Sequence, residues 1–332
     1  TATPSGNPTT EPTQVPSQNP TKSPTFVPST AMPTLTPSNS PTLFPTLSTF
    51  YKDVDLSTLS ERGDGQVISS NVTVGEVGYS VSSAGDFNGD GIGDYLISAP
   101  KMSAAGLTKN GVVFVIFGKS YPDDVLLHLD LSEFKTSNTT GFRIIGGHNY
   151  EVIGGSVNSI GDFDGNGYDD LAIGTIHGKL SEETEQIGTC SIIFGYDTTT
   201  TARPVADIML SPNSSSERPN ITTFYNGQVS GGFGWSVSRL GDINSDGIQD
   251  IGIVALAANY MDRVSCGAVY ILYGGSEWPT SSTFNLSAGI SIDQGYVIFG
   301  PRSYYNLYSV ATIGDVDNDG LVDLAVTAPT TS

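Results

Sequence analysis

The sequence is short of basic residues, of cysteine and of long apolar runs, and each shortage removes a class of function. Fourteen Lys and Arg stand against 34 Asp and Glu, a net charge of −20. Such a surface repels phosphate backbones, which excludes nucleic acid as a partner and makes cations the natural one. Two cysteines cannot staple a small scaffold, so stability must come from a core, and the pair is open to a bridge or to two buried thiols. No apolar run approaches the ~18 to 20 residues that span a bilayer. The sequence starts at Thr1, not Met, and shows no signal sequence, so it is expected to be a mature or excised piece. The three histidines, His128, His148 and His177, share no ligand spacing and carry no expected chemistry.

Proline is plentiful only at one end. Eleven of the nineteen prolines fall between Pro4 and Pro45, at first on every fourth residue. The Thr, Ser, Asn and Gln between them have too little apolar surface to offset backbone ordering entropy. Residues 1–50 are therefore expected to be a disordered Pro/Ser/Thr-rich stalk, extended like polyproline and suited to O-glycosylation. Residues 51–332 remain for folding, enough for one sizeable core. Five N-x-Ser/Thr sequons, at Asn71, Asn138, Asn213, Asn220 and Asn285, suit a secreted glycoprotein.

What the foldable part has is a repeat. Four acidic segments share one frame: Gly85 to Asp94, Gly161 to Asp170, Gly241 to Asp250 and Gly314 to Asp323. Their first aspartates, Asp86, Asp162, Asp242 and Asp315, stand 76, 80 and 73 residues apart. Flanking features keep the same phase. Ser-Val precedes each segment (Ser80-Val81, Ser156-Val157, Ser236-Val237, Ser309-Val310), and an apolar strand succeeds it. A later β-rich run ends in aromatic-Gly at Phe117-Gly118, Phe194-Gly195 and Tyr273-Gly274. Gly141 to Ile144 and Gly295 to Ile298 add a further short strand. With no helix-period segment, each unit reads as about four short strands joined by Gly, Asn and Asp turns. Units of four antiparallel strands at a fixed period predict an all-β propeller, with repeats at about 51–125, 126–200, 201–280 and 281–332. By this period the sequence covers three blades and an incomplete fourth.

The acidic segments have the donor pattern of a hard divalent cation, which takes six to eight oxygens from alternate residues of a tightly curled loop. Counting the first Asp as position 1, side-chain oxygens come from positions 1, 3, 5 and 9. These are Asp86, Asn88, Asp90 and Asp94; Asp162, Asp164, Asn166 and Asp170; Asp242, Asn244, Asp246 and Asp250; and Asp315, Asp317, Asp319 and Asp323. Position 7 offers its backbone carbonyl, at Ile92, Tyr168, Ile248 and Leu321. Position 6 is glycine in every copy, where the loop must turn through a conformation that a Cβ hinders. An EF-hand would need a bidentate Glu at position 12, which here is Ile97, Ile173, Ile253 and Val326, so the loops are expected between strands. Many protein oxygens favour Ca2+ over Mg2+, which tends to keep its water.

The order Gly-Tyr/Trp-Ser-Val, Gly-Asp-x-Asn/Asp-x-Asp/Asn-Gly-x-x-Asp, Ile-Ser-Ala-Pro (Ile97 to Pro100) or Val-Thr-Ala-Pro (Val326 to Pro329), then Gly-x-Val-x-Val-x-Phe-Gly resembles the FG-GAP repeat of integrin-α N-terminal propellers. The resemblance spans about Val54 to Thr331. It implies a ring of seven blades with calcium loops on the face opposite the ligand-binding one. Repeat two has Gly174-Thr175-Ile176 where Ala-Pro is usual, repeat three has Val254-Ala255-Leu256, and repeat four lacks the Gly before Tyr308. None of these departures touches a metal position.

The expected function is that of a calcium-binding, non-enzymatic extracellular module, secreted or at the cell surface. It would recognise a protein or glycan ligand in adhesion or matrix binding, with an integrin-β-like or other surface partner. The alternatives are an accessory propeller of a secreted hydrolase such as a phospholipase, or a structural cell-wall component. Ser236 and its counterparts recur in every blade, so they are read as structural and no catalytic residue is expected. Arg62-Gly63-Asp64 falls at the turn into a blade strand and is likewise read as structural. Cys190 and Cys266, near the starts of equivalent strands, are open to a cross-blade disulfide or to burial as free thiols.

Overall fold

The computed structural model describes residues 66–72, 74–120, 128–181, 184–197, 206–210, 221–275, 278 and 282–329. The expected stalk, the Arg62-Gly63-Asp64 tripeptide, Asn213 and Asn220 lie outside the described residues. Within them every regular element is a strand or a short 3-10 turn, and no helix is long and apolar enough to cross a membrane.

The strands build successive blades. In the first, β2 (Val81–Gly85), β3 (Asp94–Ala99), β4 (Val112–Ile116) and β6 (Gly141–Gly146) pair antiparallel in that order. The second repeats it with β7 (Ser156–Gly161), β8 (Asp170–Thr175), β9 (Thr189–Ile193) and β11 (Ile221–Tyr225). The third uses β12 (Phe233–Gly241), β13 (Asp250–Ala255), β14 (Ala268–Leu272) and β16 (Gly295–Phe299). A fourth is represented by the hairpin of β17 (Ser309–Gly314) and β18 (Asp323–Thr327). These are β-propeller blades, and no closed ring is formed among the described residues.

Two features go beyond the repeat as the sequence shows it. Short strands β10 (Ile208–Leu210) and β15 (Thr283–Asn285) add in parallel to β6 and β11, as β5 (His128–Asp130) adds to β1 (Val67–Ser69). And β6, β11 and β16, which fall in the windows starting at 126, 201 and 281, hydrogen-bond to the sheet of the preceding window. A period read from motifs fixes spacing but not phase; the hydrogen-bond ladder fixes the phase.

The middle strands of the first three blades are apolar on both faces because each of these blades is covered on both sides. In β4, Val113 and Val115 pack toward the second blade with Leu171, Ile173 and Ile193. Val112, Phe114 and Ile116, pointing the other way, join Ile68, Leu129 and Leu131. The same arrangement recurs between blades two and three around Phe163, Phe194, Ile251 and Leu272. Position 2 of the first two acidic loops takes part: Phe87 and Phe163 are fully buried at these junctions. The cysteines are both free and buried, so the bridge does not form. Burial pushes the Cys190 thiol well above its ordinary value.

Candidate metal centre

Each acidic segment connects the first two strands of its blade, so all four loops lie at the same end of the blades. Entry into each loop carries the same irregularity of pairing, between Ser83/Gly85, Ser159/Gly161, Arg239/Gly241 and Thr312/Gly314. Such a bulge bends the strand and re-aims the loop residues beyond it.

The loop then curls around its own side chains. At position 1, Asp86 accepts the amides of Asp90 (3.0 Å) and Gly91 (2.9 Å), and Asp162 those of Asn166 (2.9 Å) and Gly167 (2.8 Å). Asp242 accepts those of Asp246 (3.0 Å) and Gly247 (2.8 Å), and Asp315 those of Asp319 (3.1 Å) and Gly320 (2.9 Å). The position-6 amide can reach this carboxylate because its glycine has φ near +90°, between 84° and 93° in all four copies. The position-5 side chain accepts the position-7 amide at 2.8 Å in every loop. Asn88, Asp164, Asn244 and Asp317 at position 3 accept the position-5 amide.

Position 9 ties the loop to the rest of the blade. Asp94 Oδ2 accepts the Phe87 amide (3.1 Å) and Oδ1 the Gly118 amide (2.8 Å). Asp170 takes the amides of Phe163 and Gly195, each at 2.8 Å, and Asp250 those of Ile243 (2.8 Å) and Gly274 (2.9 Å). Gly118, Gly195 and Gly274 are the glycines of the aromatic-Gly marker. The sequence displayed them as phase markers without revealing that each closes a bond onto a loop carboxylate. Asp323 accepts the Val316 amide at 2.8 Å.

Asp94, Asp170 and Asp250 are buried, whereas Asp323 is half-buried. Burial lifts the Asp94 carboxyl to about 7 and the Asp170 carboxyl to about 8; neighbouring carboxylates add to this, and the backbone bonds oppose it. Asp250 and Asp164 shift upward, also mainly through burial. A cation would relieve what burial and like charge make costly.

The structure brings Asp162, Asp164 and Asp170 together, with one oxygen of each within 4.8 Å of the others, and likewise Asp315, Asp317 and Asp319. In the first and third loops position 3 is an asparagine, and Asn88 and Asn244 donate Nδ2 to Asp90 (3.0 Å) and Asp246 (2.8 Å). A carboxylate oxygen has two lone pairs, so accepting one amide leaves it able to bind a metal. The donor chemistry thus fits a hard divalent cation, with three carboxylates at positions 1, 3 and 9 in the second loop and at 1, 3 and 5 in the fourth.

Of the other sequence candidates, Asn71, Asn138 and Asn285 are exposed. Asn71 Nδ2 donates to Asp130 at 3.1 Å, and Asn285 Oδ1 accepts the Ser287 amide at 3.0 Å. Among the serines, Ser156 Oγ accepts the Val237 amide of the next blade at 3.1 Å. Ser82 Oγ donates to Asn158 Oδ1 across the first junction at 3.0 Å. Sequence reasoning passed over position 8, Asp169 and Gln249, whose side chains meet the preceding loop; neither repeats the other's residue type, so no periodic signal marked them.

No family model matches the chain. Integrin alpha pat-2 of Caenorhabditis elegans is 26% identical over 257 residues, 76% of this chain and 18% of that protein. Phosphatidylinositol-glycan-specific phospholipase D of Rattus norvegicus is 27% identical over 175 residues, 53% of this chain and 18% of that protein. The Mus musculus phospholipase D is 28% identical over the same length. The chain therefore spans about a fifth of the length of these curated relatives. One relative is an integrin α and the others are phospholipases, and together with the blades and their acidic loops they support one statement: this chain is similar to the FG-GAP repeats of integrin-α propellers.

Proposed function

We propose that the chain is a calcium-binding, non-catalytic propeller module of a secreted or cell-surface protein, and that it recognises a protein or glycan ligand. The observation that carries the cation reading is the fourfold recurrence of one donor set in one phase, with the same backbone bonds at positions 1 and 5 and the position-2 amide donating to position 9 in every loop. The residues that would hold the ion are Asp86, Asn88, Asp90 and Asp94 and their three sets of counterparts, with the carbonyls of Ile92, Tyr168, Ile248 and Leu321. Calcium supplies positive charge to a chain of net charge −20 and ties both ends of each loop to the blade. The exposed sequons at Asn71, Asn138 and Asn285 support an extracellular setting.

The end of the blades opposite the acidic loops supports recognition. There the connections after the second and fourth strands bond to one another, Tyr150 N to Thr108 O and Tyr304 N to Val264 O, each at 2.8 Å. Tyr150 (φ 60°) and Tyr304 (φ 61°) stand exposed at the tips of these connections. Arg263 lies 5.0 Å from the Tyr260 ring, which stacks on Phe299. Varied loops on a repeated frame suit a protein or glycan partner, including an integrin-β-like one. The phospholipase relatives favour a second reading, an accessory propeller beside a hydrolase domain.

Calorimetric titration of the chelator-treated chain tests the cation reading. Calcium should bind at about four sites and more tightly than magnesium. Absence of calcium binding overturns it. Binding to arrayed matrix proteins and glycans, abolished by Tyr150→Ala or Tyr304→Ala, tests the recognition reading.

A further inference from the structure

We propose that Asp169, a residue of the second loop, couples cation binding at the first two loops by positioning and charging the first from the neighbouring blade. The coupling rests on the cation reading given under Proposed function. Asp169 Oδ2 accepts the amide of Asp86, position 1 of the first loop, at 2.9 Å. The approach is possible only because residue 85 is glycine: a Cβ there would lie 2.1 Å from that oxygen. The contact is continued by the Tyr196 amide, which donates to the Phe87 carbonyl at 3.1 Å. The Tyr168 ring lies against Gly89 in the same interface.

The other junctions lack this charge. Gln249 takes the same place against Gly161, and its Oε1 accepts Arg239 Nε at 2.9 Å, so the second loop faces an amide and a guanidinium. At the third junction the residue is Val322, exposed, and nothing approaches Gly241. The first loop alone of these three is given a carboxylate by its neighbour.

Asp169 lies between Tyr168, whose carbonyl is a proposed ligand, and Asp170, whose carboxylate is another. A cation in the second loop would therefore fix the backbone on both sides of Asp169 and hold its side chain against Asp86. The first loop would then bind with less ordering to do and with one more negative charge nearby, a charge that also offsets repulsion between the two cations. By linkage, filling the first loop strengthens the second in the same proportion.

The test is a calcium titration of the full chain read through the backbone amide NMR signals of Gly91 and Gly167, which report the first and second loops separately. Asp169→Asn keeps an oxygen acceptor and removes the charge; Asp169→Ala removes both. Asn should weaken calcium at Gly91 about fivefold and Ala about tenfold. Asp164→Asn, which weakens the second loop, should shift the Gly91 midpoint in the parent chain but not in the Asp169→Ala chain. A Gly91 midpoint unmoved by both Asp169 variants, or moved by Asp164→Asn equally in both backgrounds, overturns the coupling while leaving the cation reading intact. If neither glycine responds to calcium, the cation reading itself falls, and the coupling with it.

Discussion

The Gly195 amide donates to Oδ1 of Asp170 at 2.8 Å while Oδ2 of the same carboxylate takes the Phe163 amide at 2.8 Å. One buried side chain thus joins the start of an acidic loop to the end of the blade's third strand. Asp170→Asn would turn an amide donor toward one of these N–H groups and leave it unsatisfied, at a cost of about 2 kcal/mol. It would also remove one of the crowded carboxylates, which matters only without metal. The loss measured by urea denaturation should therefore be larger in calcium than in chelator, and a larger loss in chelator would contradict the role assigned to the loop.

Gly195 has no room to grow. A Cβ there would lie 2.4 Å from the Asp169 carbonyl oxygen and 3.0 Å from that of Phe87. Both neighbours are backbone, so relief requires moving two loops. Gly195→Ala should cost about 2 kcal/mol or more by urea denaturation, and Gly91→Ala, where space is open but φ is +84°, should cost about 1 kcal/mol through strain alone.

Removing calcium should destabilise the whole chain, because ligands that bind only the folded state stabilise it by mass action. Calcium at 100 times its dissociation constant contributes about 2.7 kcal/mol per site. Chelation is expected to lower the melting temperature by about 5 °C or more in differential scanning calorimetry. Unchanged melting would remove calcium from the account.

The Asp207 carboxylate clips β10 to β6. It accepts the Arg143 amide at 3.0 Å and Arg143 Nε at 3.0 Å, and it pairs with the guanidinium and with the Thr136 hydroxyl. Burial would raise this carboxyl, but the bonds from Arg143 and Thr136 hold it below its ordinary value of 3.8. The folded state thus prefers the charged form, so the contribution is present above pH 3.8 and fades as pH falls through the lower folded value. Asp207→Asn should cost under about 1 kcal/mol at pH 7, since both partners are partly exposed. The difference from the parent chain should close as pH falls from 3.8 through the lower folded value.

Cys190 and Cys266 should behave as two buried thiols. A disulfide reagent should label neither in the native chain and both after denaturation, and an intact mass with a bridge would contradict the packing. Cys190 lies in β9 and Cys266 just before the equivalent strand β14, and each thiol is enclosed in its own place: Cys190 within the core between the second and third blades, and Cys266 with its sulfur 3.4 Å from the Ala258 carbonyl.

The blade and the composition of its acidic loop were legible in the sequence because both depend on local rules. Alternate oxygens, a glycine at position 6 and an apolar position 12 fix a strand-connecting loop without reference to anything distant. Four copies in phase made the unit plain. Tertiary structure decided what lies between copies. The partner of Gly141–Gly146 could have been either neighbouring sheet until the ladder to Val112–Ile116 set it. The pairing of Gly195 with Asp170, the parallel strands β10 and β15, and the reach of Asp169 to Asp86 all join residues 25 or more apart in the chain. Such contacts are specified by how blades stack, and stacking depends on surfaces that no single repeat contains.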